Sequence, residues 1–374
     1  MLDKLTAWFL TIYMAFGGVI PLPIRIKITA EPAVMIVSQE EYTVMWATNR
    51  RGSGWLTVTA QGREQTFYDS SSGTIRSDDK LHVARVPKEV LDNCDSYRVH
   101  SQYTLINFGY FAIKGKQTAS KEYAFRGYRG EDTVRALFFA DIHGNQAAAL
   151  ANAATLQADA DAAPNLVILA GDIPADGLLF QRDFIDDILS PAAKLSGGTI
   201  PVLYCRGNHE ARGQWATELR RYFPTDTGEL YFTASYGPIS FTVLDTGEDK
   251  DDGHHEYAGL ADFAAYRARQ FSWLNELPLD TSESYGYRIC VSHMQNLNRE
   301  GMFDDWYAPL RDQLEITHIF CGHGHNNNTW ENGGLRHYED GSENIGSMLT
   351  FHGGEIFAKS AAVNGEIRDF GKLE

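Results

Sequence analysis

The sequence predicts two successive parts, an all-β part over residues 25–126 and an α/β part over residues 133–374. About seven short strand-like runs fill the first part, in roughly 100 residues with turn signals between them. In the second part, continuous apolar runs alternate with helical segments. Glycines and charges at 127–132 mark the linker. A chain of 374 residues, 43% of them hydrophobic, is long enough to bury the cores of two domains.

Within the first part, residues 41–46 and 55–59 predict two strands, and the turn-rich residues 49–54 predict that they form a hairpin. Further strands are predicted at 65–68, 81–86, 96–105 and 121–125. Many short strands separated by turns are typical of a β-sandwich. His82 and His100 stand alone here, and we interpret them as ordinary strand residues without a ligand role.

The second part predicts buried strands separated by helices. The strands are predicted at 135–140, 166–170, 201–205, 240–245, 287–291 and 317–321, with a final pair at 348–351 and 355–358. Helices are predicted at 146–160, at 180–195 with a break at Pro191, and at 258–277. Strands that are apolar along their whole length are covered on both faces, so we expect a layered α/β fold.

The charge balance argues against one class of partner. Lys and Arg total 33 against 49 Asp and Glu, a formal net charge of −16. Residues 1–125 carry 14 basic and 12 acidic side chains, so nearly all of the acidity belongs to the second part. A long nucleic acid needs basic side chains to displace its counterions, and this composition disfavours it. Phosphate chemistry in so acidic a part needs a local positive charge, most simply bound metal.

The cysteines do not indicate a disulfide scaffold. Four of them, Cys94, Cys205, Cys290 and Cys321, are dispersed along the chain and form no Cys-x-x-Cys pair. The last three lie inside apolar runs, so we expect them to be small buried side chains.

Residue types that suit metals follow five of the predicted strands. They are Asp141, His143, Asp172, Asn208, His209, His293, His323 and His325. Loops at the strand ends of a layered α/β fold converge on one crevice, so these residues can meet. Imidazole nitrogens with carboxylate and amide oxygens are typical of a pair of divalent or trivalent metal ions, which clamps a phosphoryl oxygen and lowers the pKa of a bound water. Gly171, Gly207 and Gly322 are expected to leave room where a Cβ would crowd the ions.

The order of these motifs, D-x-H, G-D, G-N-H-E, a lone His after a strand and G-H-x-H, resembles the calcineurin-like metallophosphoesterases over residues 133–360. The resemblance implies a two-layered β-sheet core flanked by helices, and attack on phosphate by a metal-bound hydroxide. It implies one metal held by Asp141, His143, Asp172 and His325, and a second held by Asp172, Asn208, His293 and His323. It also implies that His209 is the general acid or a charge stabiliser near the leaving group.

A second resemblance concerns the all-β part. A fibronectin-like sandwich in front of such a catalytic domain looks like the layout of the purple acid phosphatases. Where those enzymes read D-x-G, this chain has His143, and where they carry a tyrosine in G-D-x-x-Y, it has Ala175. Without a tyrosinate ligand we expect no charge-transfer colour. The identity of the two metal ions therefore stays open among Mn, Fe, Zn and Co.

Three functions are compatible with these residues. The first is a phosphatase acting on phosphate monoesters, either small metabolites or phosphoproteins. The second is a phosphodiesterase acting on small or cyclic nucleotides, nucleic acid or lipid head groups, and the third is a non-catalytic surface binding protein. Arg212 either binds the substrate phosphate or forms a surface ion pair. The charged residues 248–256 are either a solvated rim or a further metal site.

The N-terminal residues 1–24 are set apart by their apolar character. Residues 5–24 carry no charge, and residues 5–16 have the composition of a signal-peptide core or an anchor. The other interpretation is an apolar segment that packs on the folded body. The first predicts a membrane-associated or extracytoplasmic protein with possible membrane association through residues 5–24, and the second allows a cytoplasmic one. The oligomeric state is left open.

Overall fold

A computed structural model describes residues 2–15, 21–108, 111–160, 162–280, 285–299 and 302–374. The front part contains helices α1 (Leu2–Ala15) and α2 (Lys88–Asp92). Its strands are β1 (Leu22–Arg25), β2 (Ile28–Ile36), β3 (Glu41–Ala60), β4 (Arg63–Tyr68), β5 (Ser70–Ser71), β6 (Thr74–Ile75), β7 (Asp79–Pro87), β8 (Ser96–Asn107) and β9 (Ala112–Ala119). Residues 1 and 16–20 of the predicted N-terminal segment lie outside the described residues. None of the helices within the described ranges is long and apolar enough to cross a lipid bilayer.

The predicted hairpin over residues 41–59 is wrong, because β3 runs through it without a turn. The first half of β3 pairs with β2 and β7, and its second half pairs with β4 and β8. Gly52 and Gly54 serve close packing: an added Cβ at Gly52 would collide with the Gln102 carbonyl, and one at Gly54 would lie 2.7 Å from the Trp46 and His82 rings. Turn composition and close packing both favour glycine, so the sequence pattern does not separate them.

The other predicted front strands form, with one exception. The runs at 65–68, 81–86 and 96–105 lie within β4, β7 and β8. The run at 121–125 contributes only an isolated bridge between Tyr123 and Tyr97.

The rear part alternates strands and helices along most of its length. Its helices are α3 (Gln146–Ala160), α4 (Gln181–Phe184), α5 (Ser190–Ser196), α6 (Leu219–Tyr222) and α7 (Phe263–Glu276). Its strands are β10 (Thr133–Phe139), β11 (Leu166–Leu169), β12 (Pro201–Tyr204), β13 (Phe232–Tyr236), β14 (Ile239–Leu244), β15 (Tyr287–Ser292), β16 (His318–Cys321), β17 (Asn327–Asn332), β18 (Leu335–Asp340), β19 (Ile345–His352), β20 (Glu355–Ala362) and β21 (Ile367–Lys372). Short 3-10 turns lie at Ala216–Glu218 and His255–Tyr257, and π-helical turns at Ile185–Leu189 and Pro309–Gln313.

Two sheets and two helical layers stack in the order helix, sheet, sheet, helix. The first sheet continues as β2-β12-β11-β10-β19-β20-β21, and the second is β13-β14-β15-β16-β18-β17. Phe138 of the first sheet and Phe241 and Phe320 of the second are buried in one shared core. The outer face of the first sheet packs on α3 and α5, and that of the second on α7. The predicted α/β core of two sheets flanked by helices is confirmed.

The predicted helix break at Pro191 takes another form. Helix α4, a π-helical turn and α5 follow one another without interruption from residue 181 to residue 196. Pro191 lies in the first turn of α5, where a missing backbone N–H is tolerated. Leu189 and Ser190, which precede it, keep right-handed helical backbone angles, so the predicted break is wrong.

The front strands join the first sheet directly. Strand β2 pairs in parallel with β12, with Val34 beside Pro201 and Ile36 beside Leu203. Side chains from both parts, such as Trp46 and Phe138, therefore belong to one continuous buried cluster. The division into domains at 25–126 and 133–374 stays a prediction. All four cysteines are free and buried, which confirms the prediction made for Cys205, Cys290 and Cys321.

Candidate metal centre

The eight predicted strand-end residues come together at one edge of the two sheets. Strands β10, β11 and β12 are parallel to one another, as are β14, β15 and β16, so their carboxyl ends share an edge. The loops after β10, β11, β12, β15 and β16 carry Asp141, His143, Asp172, Asn208, His209, His293, His323 and His325. Convergence of residues up to 184 positions apart is thus a consequence of strand direction.

Five of these residues have a backbone conformation that side chains rarely adopt. Asp141, His143, Asp172, His323 and His325 have φ between 45° and 70°. Left-handed φ at a residue other than glycine costs free energy and is concentrated at functional sites. The surrounding fold therefore stabilises a strained arrangement of these side chains.

The glycines beside the site leave space for the side chains of the site. An added Cβ at Gly322 would collide with Asp141 Oδ2, and one at Gly207 would collide with Asp172 Oδ1. A Cβ at Gly171 would lie 2.8 Å from His293 Nδ1. The sequence indicated that these glycines leave room, and the atoms that need the room belong to the side chains of the site and to the backbone of its neighbouring loops.

The first group of donor atoms comes from Asp141, His143 and His325. His143 Nε2 lies 3.2 Å from His325 Nε2, and Asp141 Oδ1 lies 3.6 Å from the former and 3.3 Å from the latter. Asp141 Oδ2 faces the other way and accepts the backbone N–H of His323 at 2.8 Å. One carboxylate oxygen is thus anchored, while the other faces two imidazoles.

The second group comes from Asp172, His293, His323 and Asn208. Asp172 Oδ2 lies 3.2 Å from His293 Nε2, and Asn208 Oδ1 lies 3.0 Å from His323 Nδ1. The His293 ring is oriented by its Nδ1, which donates to the Ala170 carbonyl at 2.8 Å. Asp172 Oδ1 accepts the backbone N–H of His209 at 2.8 Å. As in Asp141, one carboxylate oxygen is therefore held by the backbone while the other faces an imidazole.

The two groups are adjacent. Asp141 Oδ1 of the first lies 4.0 Å from His293 Nε2 of the second. Asp172 belongs to two sets of candidate ligand atoms that lie within 4.8 Å of one another, one with His143 and His209 and the other with His293 and His323. A carboxylate in that position can bridge two cations.

The chemistry of the donors fits bound cations. Asp141 Oδ1 and His293 Nε2 are buried and have no hydrogen-bond partner among the described residues, although each faces an oppositely polarised group. Burial raises the pKa of Asp141, yet His143 and His293 hold it well below its usual range. Burial lowers the pKa of His293, yet Asp172 and Asp141 raise it to about 10. The buried carboxylates of Asp141 and Asp172 are stable only next to positive charge, which a divalent cation supplies.

Glu210 supports this site, a role that the sequence did not reveal. It is completely buried. Its Oε2 accepts the backbone N–H groups of Asp172 at 2.9 Å and Gly207 at 3.1 Å, and its Oε1 accepts that of Ile173 at 3.2 Å. The carboxylate thus ties the loop after β11 to the loop after β12. Its place in the G-N-H-E sequence was the available signal.

A buried ion pair also holds the loop after β12. Arg206 donates to Asp245 through Nε at 3.1 Å, and its Nη2 lies 2.8 Å from the other carboxylate oxygen. Tyr266 donates its hydroxyl to the same carboxylate at 2.7 Å. A forked pair of this kind fixes orientation as well as charge. Asp245 follows β14, so it belongs to another strand end.

His209 and Arg212 lie at the mouth of the site. The His209 ring is fixed by a 2.6 Å hydrogen bond between Nδ1 and the Ala175 carbonyl, and its Nε2 lies 3.7 Å from Asp172 Oδ2. Arg212 donates to both oxygens of the buried Glu248 carboxylate, at 2.6 Å and 2.9 Å. Arg212 therefore forms the predicted ion pair, and its binding of the substrate phosphate stays a prediction.

The charged loop at 248–256 forms a rim that is crossed by ion pairs. Lys250 Nζ lies 3.0 Å from both Asp249 and Glu256. His254, His255 and Glu256 present ligand atoms within 4.8 Å of one another, but all three are partly or largely exposed. Exposed charged groups of this kind are common without a metal, and the solvated rim is the simpler description.

Comparison with known protein families agrees with this geometry. The model of the calcineurin-like phosphoesterase family matches residues 134–327, which is more than half of the chain. The chain belongs to this family, so it is a metal-dependent phosphoesterase that hydrolyses ester bonds at a divalent metal centre. The resemblance seen in the motif order is thereby confirmed. No curated protein is significantly similar to the chain.

Several solved structures are similar in part. A dimetal phosphatase from Danio rerio shares 14% identity over 64% of this chain and 99% of its own, with a TM-score of 0.45. GAP50, the anchor in the inner membrane complex of Plasmodium, shares 13% sequence identity over 65% of this chain and 90% of its own, with a TM-score of 0.40. A structure from Staphylococcus aureus that is described as a 5'-nucleotidase shares 13% sequence identity over 64% of this chain and 53% of its own, with a TM-score of 0.34. At these values the likeness says nothing about substrate.

Proposed function

We propose that this phosphoesterase hydrolyses phosphate monoesters at a pair of metal ions. The observation that carries the proposal is that Asp172 belongs to two sets of close candidate ligand atoms, one with His143 and His209 and the other with His293 and His323. Two cations joined by one carboxylate suit a terminal phosphoryl group, whose negative charges need more than one positive partner.

The residues proposed to hold the metals are those that the motif order implied. Asp141, His143, Asp172 and His325 would hold one cation, and Asp172, Asn208, His293 and His323 the other. When bound, the cations would neutralise charge on the phosphoryl oxygens and favour ionisation of water. The protein's own contribution is orientation: backbone N–H groups and the Ala170 carbonyl hold the carboxylates and the His293 ring in place.

His209 is proposed to act on the leaving group. Its Nδ1 is engaged by the Ala175 carbonyl, which leaves Nε2 as the atom that can meet a substrate oxygen. The side chain is 22% exposed, more than the buried His293, so a substrate can reach it. From this position Nε2 can donate a proton, or a hydrogen bond, to the departing alkoxide oxygen.

Small substrates are favoured by the charge around the site. The acidic rim comes close to the metal ligands, since Asp249 interacts electrostatically with His323 and with Arg212. A rim of this sign repels a polyanion but is less unfavourable to one phosphate group that binds between two cations. Phosphorylated small molecules, or single phosphorylated side chains of a protein, fit this balance better than nucleic acid.

The front strands are proposed to form a fibronectin-like sandwich. The pairing of β2, β3 and β7 on one side, and of β4, β3, β8 and β9 on the other, supports two sheets that share β3. Val44 and Trp46 of one sheet are buried in the same cluster as Leu56 and Val99 of the other.

The proposal is tested by hydrolysis of a chromogenic phosphate monoester and of the matching diester, with added Mn²⁺ and after treatment with EDTA. We expect the monoester to be hydrolysed faster, EDTA to abolish the activity, and Asp172→Asn to lower it by at least about 100-fold. Asp369→Asn, at an exposed position of β21, is the matched control and should retain full activity. A faster diester reaction, or wild-type rates in Asp172→Asn, would contradict the proposal.

A further inference from the structure

Helix α1 exposes an apolar stripe. Leu5, Trp8, Phe9 and Ile12 are 64%, 66%, 58% and 37% exposed, and they follow the spacing that places side chains on one helical face. Tyr13, one turn after Phe9, lies at the edge of this face, where its hydroxyl donates to the Ala112 carbonyl at 3.0 Å and its ring packs 6.2 Å from that of Phe111. The helix therefore rests on the start of β9 and presents its apolar stripe outward.

The end of β8 adds apolar side chains at the same place. Leu105, Ile106 and Phe108 are 41%, 40% and 47% exposed. The Phe108 ring is stacked 4.7 Å from Phe111, the residue that also contacts Tyr13. We call the stripe of α1 and these three residues the apolar tip. Contiguous exposed apolar surface from two separate elements marks an interaction site in a protein of otherwise ordinary composition.

The charges around the apolar tip are basic. The sequence at this end of the β3–β8 pair, residues 50–52 and 103–116, contains four Lys or Arg and no Asp or Glu. Arg51 donates to the Leu105 carbonyl at 3.3 Å, and Lys114 lies opposite Thr104 in the sheet. No carboxylate of the described residues lies within 4.0 Å of the charged groups of Arg51, Lys114 or Lys116. Asp78 is the acidic residue in the adjoining groove of about 540 Å³, which Arg51, Arg76 and Leu105 also line.

We propose that the apolar tip binds the surface of an anionic lipid bilayer. The side chains of α1 and of the β8 end would enter the interfacial region, with Trp8 at the headgroup level, while Arg51 and Lys116 contact lipid phosphates. Basic charge beside exposed aromatic and aliphatic side chains is complementary to such a surface. It is not self-complementary, because a symmetric pair of tips would bring the two sets of basic residues together.

The negative charge of the rear part favours one orientation of the protein on the bilayer. Residues 126–374 carry a formal net charge of −18, against +2 for residues 1–125, so an anionic bilayer repels the rear part and attracts only the tip. The phosphoesterase would be held at the membrane by its front strands, with the rear part on the solvent side.

The test is flotation of the full chain with vesicles of phosphatidylcholine plus phosphatidylserine, and with vesicles of phosphatidylcholine alone. We expect binding to the anionic vesicles that weakens with salt. The pair Trp8→Ser and Phe9→Ser should lower the affinity by at least about tenfold. The pair Arg51→Glu and Lys116→Glu should lower it roughly fivefold or more for each side chain.

Two matched controls separate the tip from general effects. Leu260→Ser removes an aliphatic side chain that is 90% exposed elsewhere on the molecule, and Arg63→Glu reverses a charge at the other end of the β3–β8 pair. Both should bind vesicles like the wild type, and thermal unfolding followed by circular dichroism should be the same in all variants. The proposal is overturned if the wild type does not float, if the tip variants bind equally well, or if light scattering shows a dimer that Trp8→Ser and Phe9→Ser dissociate.

Discussion

The Glu210 carboxylate accepts the backbone N–H of Asp172 at 2.9 Å, so the residue that follows a proposed leaving-group histidine fixes the backbone of a proposed metal ligand 38 positions earlier. The same Oε2 atom also accepts the N–H of Gly207. Two loops that supply ligands are therefore held together through one buried carboxylate.

Glu210→Gln is expected to lower metal affinity and turnover by about 10- to 100-fold. Both carboxylate oxygens accept backbone N–H groups, so an amide must turn its NH₂ toward at least one donor and lose that hydrogen bond. Metal content after dialysis and the rate on a monoester substrate measure the effect. Glu276→Gln, at an exposed end of α7, is the control. Unchanged metal content in Glu210→Gln would show that the loops hold their position without this carboxylate.

His209→Asn is expected to separate chemistry from metal binding. His209 contacts Asp172 only through its backbone N–H and through Nε2 at 3.7 Å, so both cations should bind as in the wild type. The turnover number should fall by about 100-fold or more, because proton donation to the leaving group is lost. The loss should be smaller for a substrate with a good leaving group, such as a nitrophenyl ester. Equal losses for good and poor leaving groups would exclude the general-acid role.

Gly322→Ala is expected to destabilise the fold by about 1 to 3 kcal/mol and to reduce metal binding. The new Cβ would collide with Asp141 Oδ2 and with Ala140, which are both buried. Gly253→Ala is the matched control, since no atom lies within 4 Å of a Cβ built there. Chemical denaturation and metal analysis of the two variants measure the difference. A fully stable, metal-loaded Gly322→Ala protein would show that the loop after β16 can move aside.

Asp92→Asn is expected to change the pH dependence of stability. Burial raises the pKa of Asp92 to about 6, despite the hydrogen bond from Tyr42 and the charge of Lys88. The folded state therefore holds this proton more tightly than the unfolded state, whose carboxyl has a pKa of about 4. This contribution to the free energy of unfolding is fully present below the unfolded pKa and is lost as the pH rises through the folded pKa.

The measurement is urea denaturation of the wild type and Asp92→Asn between about pH 4 and pH 6.5. Relative to the variant, the wild type should lose on the order of 1 to 2 kcal/mol over this interval. A constant difference between the two proteins across the interval would show that Asp92 titrates normally.

The purified, metal-loaded enzyme is expected to be colourless. Ala175 stands where the purple acid phosphatases carry a tyrosine, and its carbonyl oxygen contacts His209 Nδ1. A visible spectrum recorded together with elemental analysis tests this and identifies the metal. An intense visible band would mean that another residue supplies a charge-transfer ligand.

Much of the site could be predicted because its chemistry is local. A polar residue after an apolar strand is visible in one short stretch, as with Asp141, Asp172 and His293, and the direction of parallel strands brings such stretches together. The same holds for the buried strands of the rear part and for the apolar, uncharged N-terminal residues. The motif order at 207–210 and 322–325 was specific enough to indicate the family.

Other features depend on contacts that no short stretch contains. The 3.2 Å approach of His143 to His325 joins residues 182 positions apart. The left-handed φ of five site residues, the support from Glu210, the passage of β3 through a turn-like sequence and the docking of α1 by Tyr13 were all decided by packing. The sequence by itself determined which residue types stand at the strand ends, and therefore the family and its metal chemistry. Only the tertiary structure decided which atoms face one another, because that depends on free energies summed over long-range contacts rather than on local propensity.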